Sequence, residues 1–542
     1  VTDAGRSIIQ RNRIDALAAD YRSLRILLVL TGIALAATLI VYKPWSPGPF
    51  DIIDFSEFLP LLHRNTQYER WSGFLRYYAS QGRWNILGYA ALILKWGVFG
   101  TNVVGWQWAR FAEMWFVMVA AYFVLRRFGS DLVGAAAGAG IFMFAGPAVT
   151  GWLRLTMGEA LGLCFLFPAV WIAAGYRNTT HWRRDAVLIA IFICLALLSK
   201  EMLVAFVPFV LVVGCCLSGP GRLAQPRYDD RTRWLVGISA VAGFVVLLPV
   251  ALVAHAAPAG NFASQYMTRP FSLRQSLENL CTVVLPAGPA RTGGLLGRFT
   301  ASANILFLAI VAIGAIVLWR RGPAADITKR QMIAWSALVL LLPLTVVAAY
   351  QPWSVFQDFY ALPGVFSAAM LIAVSVTATD LLAPRWSFAV GAIYIAMTGI
   401  GGVRAAAVRA RYNAKREVNG AVVSYLAQHA AGRPVIVVAH GFSGSHWPGT
   451  GPALGRYAAA LYPNVSFGKF QDDTTCTLPP RTASSTGSAV IVSYSDDCGT
   501  YPNPSVAFVS RYHYLALHPP ARLADSMRID VCDADCTRPA AP

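Results

Sequence analysis

Three carboxylates crowd the segment Asp51-Ile52-Ile53-Asp54-Phe55-Ser56-Glu57, and eight residues separate them from the end of a long apolar run at Tyr42. Acids beside hydrocarbon are costly, so a chain that keeps them there is expected to use them. Two carboxylates three residues apart share one face of a helix. Such a pair can take a proton from a hydroxyl or hold a divalent cation. Asp54 and Asp51 are therefore the candidate catalytic residues, with Glu57 in support. If the acids bind metal instead, a divalent cation (Mg or Mn) would take Asp51 and Asp54 as ligands.

Further charges stand where apolar runs turn. Arg154-Leu155-Thr156-Met157-Gly158-Glu159 lies between two such runs. Glu159 either pairs with Arg154 or faces the same outer cavity as the aspartates, positioning a substrate hydroxyl or a cation. Ser199-Lys200-Glu201 interrupts two more. Charges at that depth face a polar cavity, cap short helix ends or pair locally, and Lys200 could bind a phosphate as a point charge. Arg83, with Arg269 and Arg291 in a later loop, are candidate phosphate or diphosphate binders. Interfacial anchoring is the simpler role for any one of these three.

The elements that must position these groups are membrane spans. The chain has 542 residues, 56% hydrophobic and 13% charged, with mean hydropathy +0.51. A soluble protein would be roughly 25% charged. About eleven runs approach the ~20-residue bilayer length: Leu24–Tyr42, Val103–Leu125, Leu132–Val149, Leu161–Tyr176, Ala186–Leu198, Met202–Leu217, Leu235–Ala254, Ala303–Leu318, Met332–Ala349, Leu362–Val376 and Trp386–Ile400. Asn85–Phe99 is apolar but short, and reads as an interfacial or re-entrant helix. The fold class is thus an α-helical polytopic membrane protein.

Arginine-rich loop ends orient it. Arg6, Arg11, Arg13 and Arg22 precede the first span, and alternate loops carry Arg126-Arg127, Arg183-Arg184, Arg231 with Arg233, and Arg320-Arg321. That side is expected to be cytoplasmic, with residues 1–23 as a cytoplasmic segment and the first span an uncleaved anchor. Residues 24–403 form the membrane domain, with outer loops at 43–85 and 255–300. The first loop places apolar and aromatic residues at helical spacing, as a helix at headgroup level does. The location expected is the plasma or inner membrane.

After Ile400 the composition changes. Helices at Val418–His429 and Leu454–Leu461 and strands at Pro434–Ala439 and Ala489–Tyr494 predict a small extracytoplasmic α/β domain over residues 404–542. Cys476, Cys498, Cys532 and Cys536 all fall in it. An even set in an oxidising compartment suggests two disulfides, with three pairings open and zinc at Cys532 and Cys536 as the alternative.

Several functions are excluded. The net charge of +18 is spread over loop ends rather than gathered in one basic domain, so nucleic acid is not the expected partner; anionic lipid headgroups are. No Walker loop is present, and Gly441-Phe442-Ser443-Gly444-Ser445 lacks the last glycine of a nucleophile elbow. His440 and His446 have no acidic or cysteine partner in register.

Taken in order, these motifs resemble the GT-C superfamily, polytopic glycosyltransferases that use polyprenyl-phosphate-linked sugars. Asp51-Ile-Ile-Asp54-Phe55 resembles its first-loop acidic motif, with two residues rather than none between the acids. Gly82-Arg83-Trp84 is similar to the Arg-Trp element closing that loop. Glu159-Ala-Leu resembles a Glu-x-Leu opening of a later span, and Leu198-Ser-Lys200-Glu201 a Leu-Thr-Lys-Glu step. Gln357-Asp-Phe-Tyr-Ala-Leu-Pro363 resembles an aromatic-Leu-Pro element before a late span. The resemblance covers about residues 24–400. It implies an inverting transfer from a polyprenyl-phosphate sugar to a glycan, glycolipid or protein acceptor of the cell envelope. An aspartate would serve as base, and Arg83, Glu159, Lys200, Glu201, Arg269 and Arg291 would bind the donor. A lipid-linked glycan transporter without chemistry is the alternative; a binding module on a multi-span anchor is a third reading.

Overall fold

The computed structural model describes residues 29, 31–45, 58–156, 158–217, 229–256, 362, 364–382, 416–438, 450–473, 489–494, 505–513 and 524–532, with single positions at 273, 276, 305, 309, 312, 316 and 341. Asp51, Asp54, Glu57, Arg269, Arg291, Cys476, Cys498 and Cys536 lie outside them. So do the expected spans Ala303–Leu318, Met332–Ala349 and Trp386–Ile400 apart from those single positions.

Among the described residues two helices are long and apolar enough to cross a membrane, Val103–Arg127 (α5) and Asp230–Ala256 (α11). At about 1.5 Å per residue each exceeds a ~30 Å hydrocarbon layer. Shorter apolar helices are Thr31–Tyr42 (α1) and Ile86–Phe99 (α4), Gly158–Ala173 (α8), Trp182–Ser199 (α9), Val207–Cys216 (α10) and Phe366–Leu382 (α12). On α11, Val241, Phe244, Val245 and Leu252 are 61–64% exposed. An apolar exterior of this kind is a surface for lipid or for another apolar partner.

The expected span Leu132–Val149 is two helices, Leu132–Phe144 (α6) and Gly146–Leu153 (α7). Ala145 leaves the helical region at ψ 137, and a proline opens α7, where its missing N–H costs nothing. The expected Leu161–Tyr176 span begins earlier, at Gly158, with Glu159 in its first turn, where an acid complements the helix dipole. Small residues let these helices approach closely. A Cβ on Gly138 of α6 would stand 2.6 Å from the carbonyl oxygen of Ala369 on α12.

The helices alternate in direction. At one end Arg177 Nε donates to the Cys215 carbonyl and its guanidinium pairs with Asp229 at 3.2 Å. Tyr176 Oη donates to the Arg231 carbonyl, and Arg127 lies over the Trp171 ring. Arg127 at the end of α5, Arg177 after α8, and Asp229 and Arg231 at the start of α11 thus meet at one end of the bundle. Arg154, Glu159, Lys200 and Glu201 stand in turns at the other.

The loop after α1 holds two short helices, Leu59–Leu62 (α2) and Gln67–Ser80 (α3). Thr66 and Glu69 form a reciprocal capping box at the start of α3. The chain's last third contains a helix at 416–429 (α13), helix Thr450–Leu461 (α14), and strands Val435–Val438 (β1), Phe470–Asp473 (β2), Val490–Tyr494 (β3), Val506–His513 (β4) and Ala524–Cys532 (β5). They form one sheet in the order β2-β1-β3-β5-β4. β1 is parallel to β2 and β3, while β5 is antiparallel to β3 and β4. The expected strands at 434–439 and 489–494 are β1 and β3, and three further strands complete the sheet. No disulfide joins two described residues, and Cys164, Cys194, Cys215 and Cys216 are free thiols.

This sheet does not stand apart. Leu59, Leu62, Phe74 and Tyr89 share one apolar core with Val422, Leu454, Tyr457 and Val490. The first loop and the sheet therefore lie on the same side of the helical bundle.

Candidate functional site

Three turns bring the site together. Gly82-Arg83 ends α3 as a Schellman cap: Arg83 N–H donates to the Tyr78 carbonyl at 2.8 Å and Gly82 N–H to Ala79 at 3.0 Å. Gly82 sits at φ 72, a conformation that favours glycine. The Gly-Arg-Trp motif is thus a helix stop that carries Arg83 towards the start of α4. At the end of α9, Ser199 turns its hydroxyl onto the Leu195 carbonyl at 2.8 Å, and Lys200 is extended at φ −160, ψ 113. The chain restarts as a 3-10 turn, Glu201–Phe206. The third turn leads from Arg154 into α8.

Lys200 Nζ pairs with Glu159 Oε1 at 3.2 Å across the helices, both side chains being nearly fully buried. Neither local pairing foreseen in the sequence forms this bridge: Glu159 reaches Lys200 rather than Arg154, and Lys200 reaches Glu159 rather than its neighbour Glu201. Glu201 N–H lies 3.4 Å from Asn85 Oδ1, at the residue preceding α4. Tyr89 follows one turn later, and its buried hydroxyl feels Glu201 and Arg83. Desolvation raises it well above the ordinary tyrosine value, Glu201 raises it further and Arg83 opposes the rise. Arg83, Glu159, Lys200 and Glu201, drawn from three separate segments, are therefore gathered at one end of the bundle.

Both flanks of the acidic motif are anchored beside this site. On one side Tyr42 and Pro44 line a small cavity of about 20 Å³ with Gln107, Arg110 and Trp152, room for about one water. On the other, Phe58 stacks on Phe74 and Tyr78 at 6.0 and 5.9 Å, and Tyr78 stacks on Tyr89 at 4.4 Å.

A second charged cluster lies outside the candidate motifs. Glu113 on α5 accepts from Lys95 of α4 at 2.5 Å and pairs with Arg110 at 2.9 Å. Arg110 also donates to the Leu155 carbonyl at 2.8 Å. This clamp ties α4, α5 and the turn before Glu159 into one frame. Its signal was present as an Arg and a Glu three apart inside an apolar run, with a lone Lys in the run before. Among the described residues no group of three His, Cys, Asp or Glu side chains is placed to hold a metal ion.

The approach of the turns is close enough to test. A Cβ on Gly158 would lie 2.4 Å from the Ser199 carbonyl oxygen, and one on Gly88 2.9 Å from the same atom. Neither can be relieved by a side-chain rotation. Gly158→Ala is expected to cost about 1–3 kcal/mol, read as a lower melting temperature in detergent. Gly140→Ala, with nothing within 4 Å, serves as the control and should melt like wild type.

No family model and no curated protein matches the chain. Solved structures do. ArnT from Cupriavidus metallidurans in the apo state is 12% identical, with TM-score 0.47, covering 96% of this chain and 100% of its own. The same protein bound to undecaprenyl phosphate is 12% identical, with TM-score 0.45, covering 95% and 99%. The archaeal oligosaccharyltransferase AglB from Archaeoglobus fulgidus, in complex with an inhibitory peptide and a dolichol-phosphate, is 10% identical, with TM-score 0.43, covering 83% and 65%.

Proposed function

We propose that this chain is a membrane glycosyltransferase that moves a sugar from a polyprenyl-phosphate donor to a cell-envelope acceptor on the extracytoplasmic face. The carrying observation is the convergence of Arg83, Glu159, Lys200 and Glu201 beside the aromatic loop into which the acidic motif runs. Asp54 is four residues from Phe58, a reach of at most about 14 Å. Asp54 or Asp51 removes the acceptor hydroxyl proton as that oxygen attacks the anomeric carbon, inverting it. The polyprenyl phosphate departs with the bonding electrons, and cationic side chains from Arg83, Lys200, Arg269 and Arg291 bind it. The small α/β unit closes over the first loop and shapes the acceptor side. Mg or Mn at Asp51 and Asp54 is the variant in which the acids act through a cation.

One observation favours the transporter alternative: Lys95, Arg110 and Glu113 place charge inside apolar helices, as a polar path through a membrane would. Purified protein in vesicles with a fluorescent polyprenyl-phosphate sugar separates the readings. Release of polyprenyl phosphate with a glycosylated acceptor supports the transferase. Movement of intact donor between leaflets with no release supports the transporter.

A further inference from the structure

Among the buried polar atoms of this region without a hydrogen-bond partner among the described residues are the Tyr89 hydroxyl and Glu201 Oε2. Buried groups of this kind are almost always satisfied. Tyr89 is 3% exposed, and its ring is fixed by stacking on Tyr78 at 4.4 Å and Phe74 at 5.7 Å. Glu201 is held through its backbone, next to Asn85 Oδ1, with Asn85 and Tyr89 one turn apart on the same helix. Packing would be as well served by phenylalanine at 89 and an apolar residue at 201.

We propose that the Tyr89 hydroxyl and the Glu201 carboxylate form a subsite for sugar hydroxyls, which makes them specificity-determining residues. The inference rests on the glycosyltransferase reading and names the part of the substrate this corner receives. A carboxylate accepts and needs a donor, whereas a phenol both donates and accepts. A ligand with neighbouring O–H groups meets both needs. A phosphate would be repelled by Glu201. Lys200 and Arg83 adjoin the subsite and leave the anionic end of the donor to the cationic side.

The test compares wild type with Tyr89→Phe and Glu201→Gln on polyprenyl-phosphate glucose and mannose and on their singly deoxygenated forms. Tyr89→Phe is expected to raise KM about tenfold with the melting temperature little changed. For one deoxy donor the wild type should already show that loss, and Tyr89→Phe should add nothing to it. A site built to bind a hydroxyl discriminates against the analogue lacking it. Equal effects of Tyr89→Phe on every deoxy donor, or a change in melting temperature alone, would overturn the subsite. If no donor is turned over, the transferase reading falls by itself. The subsite is then judged by binding of the same lipids: equal Kd for wild type and both variants overturns it, and a Kd loss confined to donors that retain one hydroxyl upholds it.

Discussion

Glu159→Gln is expected to lower the unfolding free energy by about 3–5 kcal/mol, because it takes from the buried Lys200 ammonium the carboxylate it pairs with across the helices. Lys200→Met should cost about as much for the opposite reason, stranding the Glu159 carboxylate. The double variant Glu159→Gln/Lys200→Met is the informative one. With both charges gone the desolvation penalty goes too, so its melting temperature should return most of the way to wild type. Activity should not return if the pair also holds the donor, as the proposed function has it. Thermal melts in one detergent, with turnover on the same samples, check both halves. Strictly additive losses would show that the two side chains are not coupled. Recovery of activity together with stability would make the bridge a packing device only.

The second large effect is at the acidic motif. Asp54→Asn keeps shape and removes the proposed base, so turnover is expected to fall roughly 10²–10⁴-fold with donor affinity retained. Asp51→Asn should cost less if Asp54 is the base. If the acids act through Mg or Mn, both variants lose activity, and wild type loses it in chelator and regains it on adding the cation. Full turnover in both variants would remove the motif from the mechanism.

These expectations show how far the residues alone could lead. Lys200, Glu201 and Glu159 were visible because charge interrupts apolar runs, and a chain keeps it there only for capping, pairing or function. Their partners were not visible. Glu159 meets Lys200 because the start of α8 packs on the end of α9, a closeness set by Gly158 and by the extended backbone at Lys200. Tyr89 was silent, since a tyrosine in an apolar helix is ordinary until its hydroxyl proves buried. Lys95, Arg110 and Glu113 could have been read from their types alone. In the sheet, β1 and β3 announced themselves as apolar runs. β2 is Phe-Gln-Asp-Asp at one edge, β4 at the other edge runs from Val-Ala-Phe-Val into Ser-Arg-Tyr-His, and β5 alternates polar with apolar residues from Met527 on. Such strands are fixed by pairing more than by hydrophobic content.

The most direct test of the central claim is the stoichiometry of a single-turnover reaction. Purified protein in lipid is mixed with a synthetic polyprenyl-phosphate sugar and a cell-envelope extract as acceptor, and free polyprenyl phosphate and glycosylated product are quantified by mass spectrometry. The account predicts equal amounts of the two for at least one donor, both abolished by Asp54→Asn together with Asp51→Asn. Intact donor recovered from every reaction, with its sugar still attached while the lipid equilibrates between leaflets, would contradict it.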